Sequence, residues 1–457
     1  MTPDSEDFWF LPLGGCGEIG MNFNLYGHNG KWLIIDCGLT FEDAPDTTNN
    51  KGGRGNRHVQ MADPEFITSR RDDIVGMIIT HAHEDHIGAV QYLWPQLKCP
   101  IYTTEFTGNI LHRKLSETSF HEEVPVRIVE RGNQIDIGPF QVEWIGATHS
   151  VPEPFSLLIT TPVATVLHSG DWKLDHTPVV GLPFDSNRLQ SLGDVQIDAM
   201  VCDSTNANVE GASPSEASLY PGLKKIVENA TGRVVVTCFG SNLARVATLA
   251  RIAQETDRHL GLLGRSMINM VSAGRACGLL PFNDASVDPA HLGYLPPETV
   301  LLLATGSQGE PRTALNRLSV NNFRDMNLQE GDTVIFSSRV IPGNETSVEA
   351  LIARLEEQGI NVFTERNSDL PIHASGHPAA DELRTMYGWI KPDVLIPVHG
   401  EPEHMQANVA IAKEVGIERQ LSGENGDLFT IAPNKSIRRN AFPVGRLTLQ
   451  GNKLVSV

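Results

Sequence analysis

Over the first two hundred residues, short apolar runs are punctuated by turn residues, and the pattern predicts strands. Asn22 to Tyr26 and Lys31 to Asp36 flank His28-Asn29-Gly30. An Asn-Gly pair between two apolar-rich runs predicts a hairpin. Gly76 to Thr80, Phe140 to Ile145 and Ala164 to Leu167 have the composition of buried strands, and His86 to Leu97 has helical spacing. From about residue 214 the rhythm changes. Helical segments at Ser215 to Asn229, Asn242 to Asp257 and Met267 to Leu279 alternate with buried strands at Arg233 to Cys238, Thr299 to Ala304 and Thr333 to Ser337. That order predicts an α/β unit around a parallel sheet. After about residue 380 the chain reads helix (Ala380 to Ile390), strand (Val394 to Val398), helix (Pro402 to Val415).

A length of 457 residues allows two or three domains with a large core. The longest apolar runs, such as Val300 to Ala304, fall far short of the ~18 residues of a membrane span. The start, MTPDSEDF, is acidic and has no apolar core, so no secretory signal is read. Cys16, Cys37, Cys99, Cys202, Cys238 and Cys277 form no CxxC pair, which argues against a disulfide framework or thiolate zinc site and fits a cytoplasmic protein. With 36 Lys+Arg against 55 Asp+Glu, the net charge of −19 also argues against general polyanion binding. The acidity is uneven, however. Residues 214–380 carry 14 basic and 17 acidic side chains, a net −3, which leaves −16 elsewhere. Within that region Arg233, Arg245, Arg251, Arg258, Arg265 and Arg275 face only Glu255 and Asp257 in the stretch 231–275.

Gly15-x-Gly17-x-x-Gly20 matches a dinucleotide fingerprint, but the fingerprint needs a helix after it. Met21 to Tyr26 alternates with period two instead, so tight turns between strands are expected. The stronger signal is His81-Ala-His83-Glu-Asp85-His86, directly after the strand ending at Thr80. On such a turn His81 and His83 can point one way and Asp85 and His86 another, which suits two adjacent metal ions. Imidazole and carboxylate ligands without thiolate suit zinc best, with manganese or iron as alternatives. Further ligands are expected at strand ends beside small residues: His149 in ATHS, Asp171 in SGD and His399 in PVHG.

These motifs together resemble the metallo-β-lactamase fold. Asp203 in DSTNA, His373 in PIHASGH and His399 in PVHGE resemble the three motifs of its β-CASP branch. GGCGEIG (14–20), LIIDCG (33–38), HAHEDHIGA, SGDWKLD, GSQGEP (306–311) and HASGH resemble the bacterial ribonuclease J family from about residue 8 to 430. The resemblance implies an α/β protein, a metallo-β-lactamase αββα sandwich with an inserted α/β β-CASP domain. Its divisions would be 1–213 and 381–445 for the sandwich, 214–380 for the insert and 446–457 for a tail. It implies His81, His83 and His149 on one Zn2+, Asp85, His86 and His399 on a second, with Asp171 bridging, Mn2+ a substitute, and Asp36 steadying the histidine loop. Asp85, Asp203 and His373 would be catalytic, the last two flanking the scissile phosphate. Ser241, Asn242, Leu243 and the run His373, Ala374, Ser375, Gly376, His377 would cradle the terminal nucleotide and its 5′ phosphate.

The implied activity is zinc-dependent hydrolysis of single-stranded RNA, 5′→3′ from monophosphorylated ends and also internally. A DNA-processing nuclease and a small-molecule metallo-hydrolase of the same fold are the rivals. Family members usually continue into a small C-terminal domain, whereas residues 440–457 are expected to make a strand or two; a homodimer through the remaining surfaces is expected. Asp46 to Gln60, rich in Asn, Gly and Arg, reads as a mobile loop near the cleft.

Overall fold

Phe23–His28 and Lys31–Ile35 pair antiparallel around Asn29 (φ 47°) and Gly30 (φ 73°). Both turn residues lie in the left-handed region that a tight hairpin requires. In the computed structural model residues 1–43, 57–280, 286–323, 326–341, 343–451 and 453–457 are described. Most of the loop expected at Asp46 to Gln60 lies outside them; its end belongs to the strand Arg57–Ala62.

The hairpin is the middle of an eight-stranded sheet ordered Ser436–Arg438, Leu428–Ala432, Phe8–Gly14, Phe23–His28, Lys31–Ile35, Ile74–Ile78, Ile101–Thr103, Val126–Ile128. A seven-stranded sheet stacks on it, ordered Arg419–Gln420, Val394–Val398, Ala199–Asp203, Thr165–His168, Phe155–Thr160, Phe140–Gly146, Gln134–Ile137. Phe8, Phe10, Tyr26 and Ile78 of the first sheet share one buried cluster with Trp144, Leu157, Ile159 and Val201 of the second. The outer face of the first sheet packs under Val90–Leu97 and Glu105–Leu115. Ala380–Ile390, Pro402–Glu414 and Ser186–Ser191 cover the second. The result is helix, sheet, sheet, helix.

The insert has its own five-stranded sheet, ordered His259–Leu263, Val300–Ala304, Val234–Thr237, Thr333–Phe336, Asn361–Phe363, with every neighbouring pair parallel. Its strands read as continuous apolar runs because both faces are covered by helices. His259–Leu263 escapes a pattern reading because Gly261 interrupts it; a Cβ there would meet Leu292 at 2.2 Å. Two expected helices are broken. The one at His86 to Leu97 divides into Glu84–Ile87 and Val90–Leu97, because Ala89 N–H donates to the Cys37 carbonyl and not to its own helix. The one at Ser215 to Asn229 begins as a 3-10 turn, Glu216–Leu219, before Tyr220–Asn229. The C-terminal strands Arg446–Gln450 and Lys453–Ser456 form a hairpin on Arg57–Ala62. Among the described residues no helix is long and apolar enough to cross a membrane.

Ile159, fully buried between the two sheets, tests this packing. Ile159→Ala should lower unfolding free energy by about 2–5 kcal/mol through lost transfer energy and the cavity left behind. Urea unfolding followed by tryptophan fluorescence measures it.

Candidate metal centre

The histidine loop follows Ile74–Ile78, and its shape is set by the neighbouring Asp36, itself just past Lys31–Ile35. Asp36 sits at φ 65° and donates its N–H to the Ile78 carbonyl. Its carboxylate accepts from Thr80 N–H (2.8 Å), Thr80 Oγ1–H and His86 Nδ1–H (2.8 Å). Gly38 lets the loop approach this closely, since a Cβ there would stand 1.7 Å from the Asp85 carbonyl oxygen. The Gly15-Gly17-Gly20 run forms turns at φ 84–95° and precedes a strand, as its pattern predicts. It also serves the site: the Gly15 carbonyl accepts from His399 N–H at 2.6 Å, holding His399 in a left-handed conformation (φ 51°).

Loops from the carboxyl ends of both sheets converge here. His81 Nε2 and His149 Nε2 lie 3.1 and 3.0 Å from His83 Nδ1, and each is 3.8 Å from Asp171 Oδ2. On the other side His86 Nε2 and His399 Nε2 lie 3.2 and 3.3 Å from that same oxygen, and 3.5 and 3.7 Å from Asp85 Oδ2. The fold therefore makes two four-residue donor sets sharing Asp171. On every ring the nitrogen turned away from the cluster meets an oxygen. His81 Nδ1 faces Thr80 Oγ1, His86 Nδ1 faces Asp36, His149 Nδ1 donates to the Gly376 carbonyl, His83 Nε2 faces Ser241 Oγ, and His399 Nδ1 lies at the Asn22 side-chain amide, 3.2 Å from Oδ1 and 3.1 Å from Nδ2. Such partners fix the tautomer and leave the inner lone pair for a cation.

The electrostatics agree. Burial lowers the pKa of His81 and His149 well below the ordinary value and that of His83 to about 4, so these rings are neutral donors. Around His86 and His399 burial opposes charge, yet Asp171 and its neighbouring carboxylates prevail and raise His399 to about 9. Asp171 stays ionised although burial opposes that, because His399 and His86 stand beside it. Imidazole and carboxylate donors in buried sets of four fit divalent metal ions.

All seven candidate ligands are thus brought together, with Asp36 behind them. Asp203 is buried at the end of its strand, and of the two histidines in HASGH it meets the second. His377 Nδ1 lies 2.8 Å from Asp203 Oδ2 and 3.9 Å from Asp171, whereas His373 is not at the metal centre. The reason is the Ser375-Gly376 turn. Gly376 packs on the His149 ring, where a Cβ would stand 2.6 Å away, and the chain reverses to bring His377 inward. His373 stays before the turn; burial and the charges of Arg245 and Arg339 depress its pKa to about 3, and its Nδ1 is buried without a partner. Ser241 reaches the site through His83, but Asn242 caps the helix Leu243–Glu255, and Leu243 and Ala374 are core residues. Ser375 Oγ accepts from Asn206 Nδ2 at 2.7 Å.

Three contributors escaped the sequence reading. Thr80 relays Asp36 to His81, Asn206 of DSTNA supports Ser375, and Asn22 bonds the Asp85 carbonyl and His399.

Residues 19–192 match a family model described as metallo-beta-lactamase superfamily, 231–355 one described as ribonuclease J, beta-CASP domain, and 371–420 one described as Zn-dependent metallo-hydrolase RNA specificity domain. A protein of Sinorhizobium meliloti named ribonuclease J is 40% identical over 98% of this chain and 78% of its own length. A Mycolicibacterium smegmatis protein of the same name is 36% identical over 96% of this chain and 77% of its own. A crystal structure of an Enterococcus faecalis protein of unknown function superposes with a TM-score of 0.63 at 16% identity, covering 93% of this chain and all of that one, which shows the shared fold.

Asn22→Ala should weaken metal affinity about 10–100-fold while the chain stays folded, as loss of a partner that orients a ligand does elsewhere. Competition against a chromophoric chelator, with circular dichroism as control, measures both.

Proposed function

The chain belongs to the ribonuclease J family of metal-dependent hydrolases that cleave RNA, and we propose that it uses two zinc ions per chain, manganese substituting, to degrade RNA 5′→3′ from monophosphorylated ends and to cut it internally. The observation that carries the two-ion reading is Asp171, one buried carboxylate common to both donor sets. His81, His83 and His149 would hold one ion, and Asp85, His86 and His399 the other. Such ions supply Lewis acidity, which lowers the pKa of water and offsets negative charge growing on the phosphate.

The chain's own groups supply the proton transfers. Asp85 is 29% exposed while Asp171 is 3% exposed, so Asp85 is the carboxylate of the two sets open to the cleft. In this reading it would orient the attacking water and accept its proton. Burial opposes a proton on His377, but Asp203 at hydrogen-bond distance outweighs it and raises the pKa. His377 can therefore donate to the leaving oxygen, with Asp203 holding its ring. The sequence reading set His373 beside the scissile phosphate; the proton donor in this proposal is His377.

His373, Ser375 and Arg339 support the 5′-monophosphate preference. A buried imidazole nitrogen without a partner, a serine hydroxyl and an exposed guanidinium beside them have the chemistry of a phosphate pocket. Ser241, at the carboxyl end of the insert's sheet, lies 3.0 Å from His83, so that edge forms one wall of the cleft. A cytoplasmic setting belongs to the same reading, supported by buried free thiols with raised pKa values, such as Cys99 at about 12. So does a homodimer, for which the strand Lys453–Ser456, last in its sheet among the described residues, offers an edge.

Metal analysis of the purified protein should find about two zinc-class ions per chain, and an active preparation without any would end the mechanism. Asp85→Ala or His377→Ala should lower kcat on RNA by about 10²–10⁴-fold, the range for general acid–base groups, with RNA still bound.

One RNA carrying a 5′ monophosphate, triphosphate or hydroxyl separates the two modes. His373→Ala and Ser375→Ala should reduce attack from the monophosphate end at least tenfold while leaving internal cutting within about threefold, as loss of a charge-assisted contact predicts. Equal losses in both modes would remove the pocket.

A further inference from the structure

Three buried carboxylates outside the metal centre have no part in the chemistry above, and all three stand where the chain crosses between sandwich and insert. Glu382 is 3% exposed and accepts from three backbone N–H groups: Leu174 (2.7 Å), Ser213 (2.8 Å) and Ala379 (2.9 Å). Ser213 lies on the way into the insert, Ala379 on the way out, and Leu174 on the loop that carries Asp171. Asp175, on the same loop, accepts from Ser215 Oγ (2.7 Å) and Glu216 N–H (3.0 Å), while Lys173 Nζ donates to the Pro214 carbonyl (3.0 Å). Both crossings are therefore tied to the segment just after Asp171.

Glu216 continues the chain of contacts into the insert. It pairs with Arg245, whose Nη2 lies 3.2 and 3.3 Å from the two carboxylate oxygens. Arg245 is completely buried, which is unusual for arginine and costly unless every donor is used. Its Nη1 donates to the Ser337 carbonyl at 2.7 Å and to Ser337 Oγ, and reaches the Ile372 carbonyl at 3.5 Å. Ile372 immediately precedes His373 and the turn that delivers His377. Arg245 N–H is also the group that Asn242 caps, directly after Ser241. One guanidinium thus touches the segment before the His373–His377 run, sits one helical turn from the Ser241 loop, and binds the incoming linker.

We propose that the Glu216–Arg245 pair is a positioning device that sets the insert's two substrate-facing segments against the metal centre, so that it governs turnover of a polynucleotide without acting on the reacting atoms. Glu382 and Asp175 anchor the joint to the Asp171 loop, and Arg245 transmits that anchor to both segments. Lysine cannot replace Arg245, because a single ammonium cannot reach Glu216, Ser337 and Ile372 together. The inference rests on the proposed nuclease reading.

The test uses the full metal-loaded protein with two substrates: a 5′-monophosphorylated RNA oligonucleotide, which must lie across the insert, and bis(p-nitrophenyl) phosphate, which needs only the metal centre. The variants are Arg245→Lys and the double change Glu216→Leu with Arg245→Met. Replacing both members of a buried ion pair by apolar residues of similar size is often tolerated in stability, so the double variant separates positioning from folding. For both variants kcat/KM on RNA should fall at least tenfold, with metal content close to wild type and hydrolysis of the small diester within twofold, and in the double variant Tm should also stay close to wild type. Recovery of RNA turnover in the double variant would show that the pair only balances buried charge and would overturn the proposal; so would parallel loss on both substrates. Failure of the wild type itself to cleave RNA would overturn the nuclease reading instead.

Discussion

Asp171 lies buried against four imidazoles and close to a fifth, and the rest of the structure answers to that arrangement. A desolvated carboxylate persists only where positive charge or strong hydrogen-bond donors are held around it. The four come from positions 81, 86, 149 and 399 and the fifth from position 377, so the carboxyl ends of strands from two different sheets must meet within a few ångströms. The devices that secure this are mostly backbone: the left-handed Asp36 and His399, the missing Cβ of Gly38, and the Gly376 carbonyl against His149. Positive φ costs about 1–3 kcal/mol at residues other than glycine, and the closely packed sandwich supplies the compensation.

The insert obeys a second constraint of the same kind. A parallel sheet gathers its loops at one edge, and in open α/β sheets ligands sit at the carboxyl edge. Here that edge carries Ser241, Ser337 and the segment leading to His373. It can serve a centre on another domain only if its orientation is held, and the buried carboxylates at the two crossings meet that need.

The charge balance looks different once burial is known. Among the described residues Asp36, Asp171, Asp175, Asp203, Glu216, Asp332, Glu382 and Asp427 are buried, against only Lys173, Arg233, Arg245 and Arg258 of the basic side chains. Part of the net −19 therefore never reaches the surface, because it faces metal-binding loops, helix N-termini and domain crossings. An acidic total and an RNA substrate are compatible: the total measures composition, whereas RNA meets a local surface.

Patterns confined to a few residues were legible in the sequence. The Asn29-Gly30 hairpin, the alternating helices and strands of the insert, the HAHEDH cluster and the ligands at positions 149, 171 and 399 each follow from local spacing and the chemistry of the residue types. The fold itself was legible through motif resemblance. What the sequence could not decide was which of two histidines, four positions apart in one short run, meets Asp203. That choice belongs to a turn whose direction is set by Gly376 against His149, a contact between residues 227 positions apart. The same holds for Asn242 and Leu243, which lie beside Ser241 in sequence but are turned into a helix cap and a core by the helix they begin. Residue chemistry singled out the side chains that compose the candidate metal centre. Only tertiary packing decided which neighbours face it, because direction in a turn depends on what the turn is pressed against.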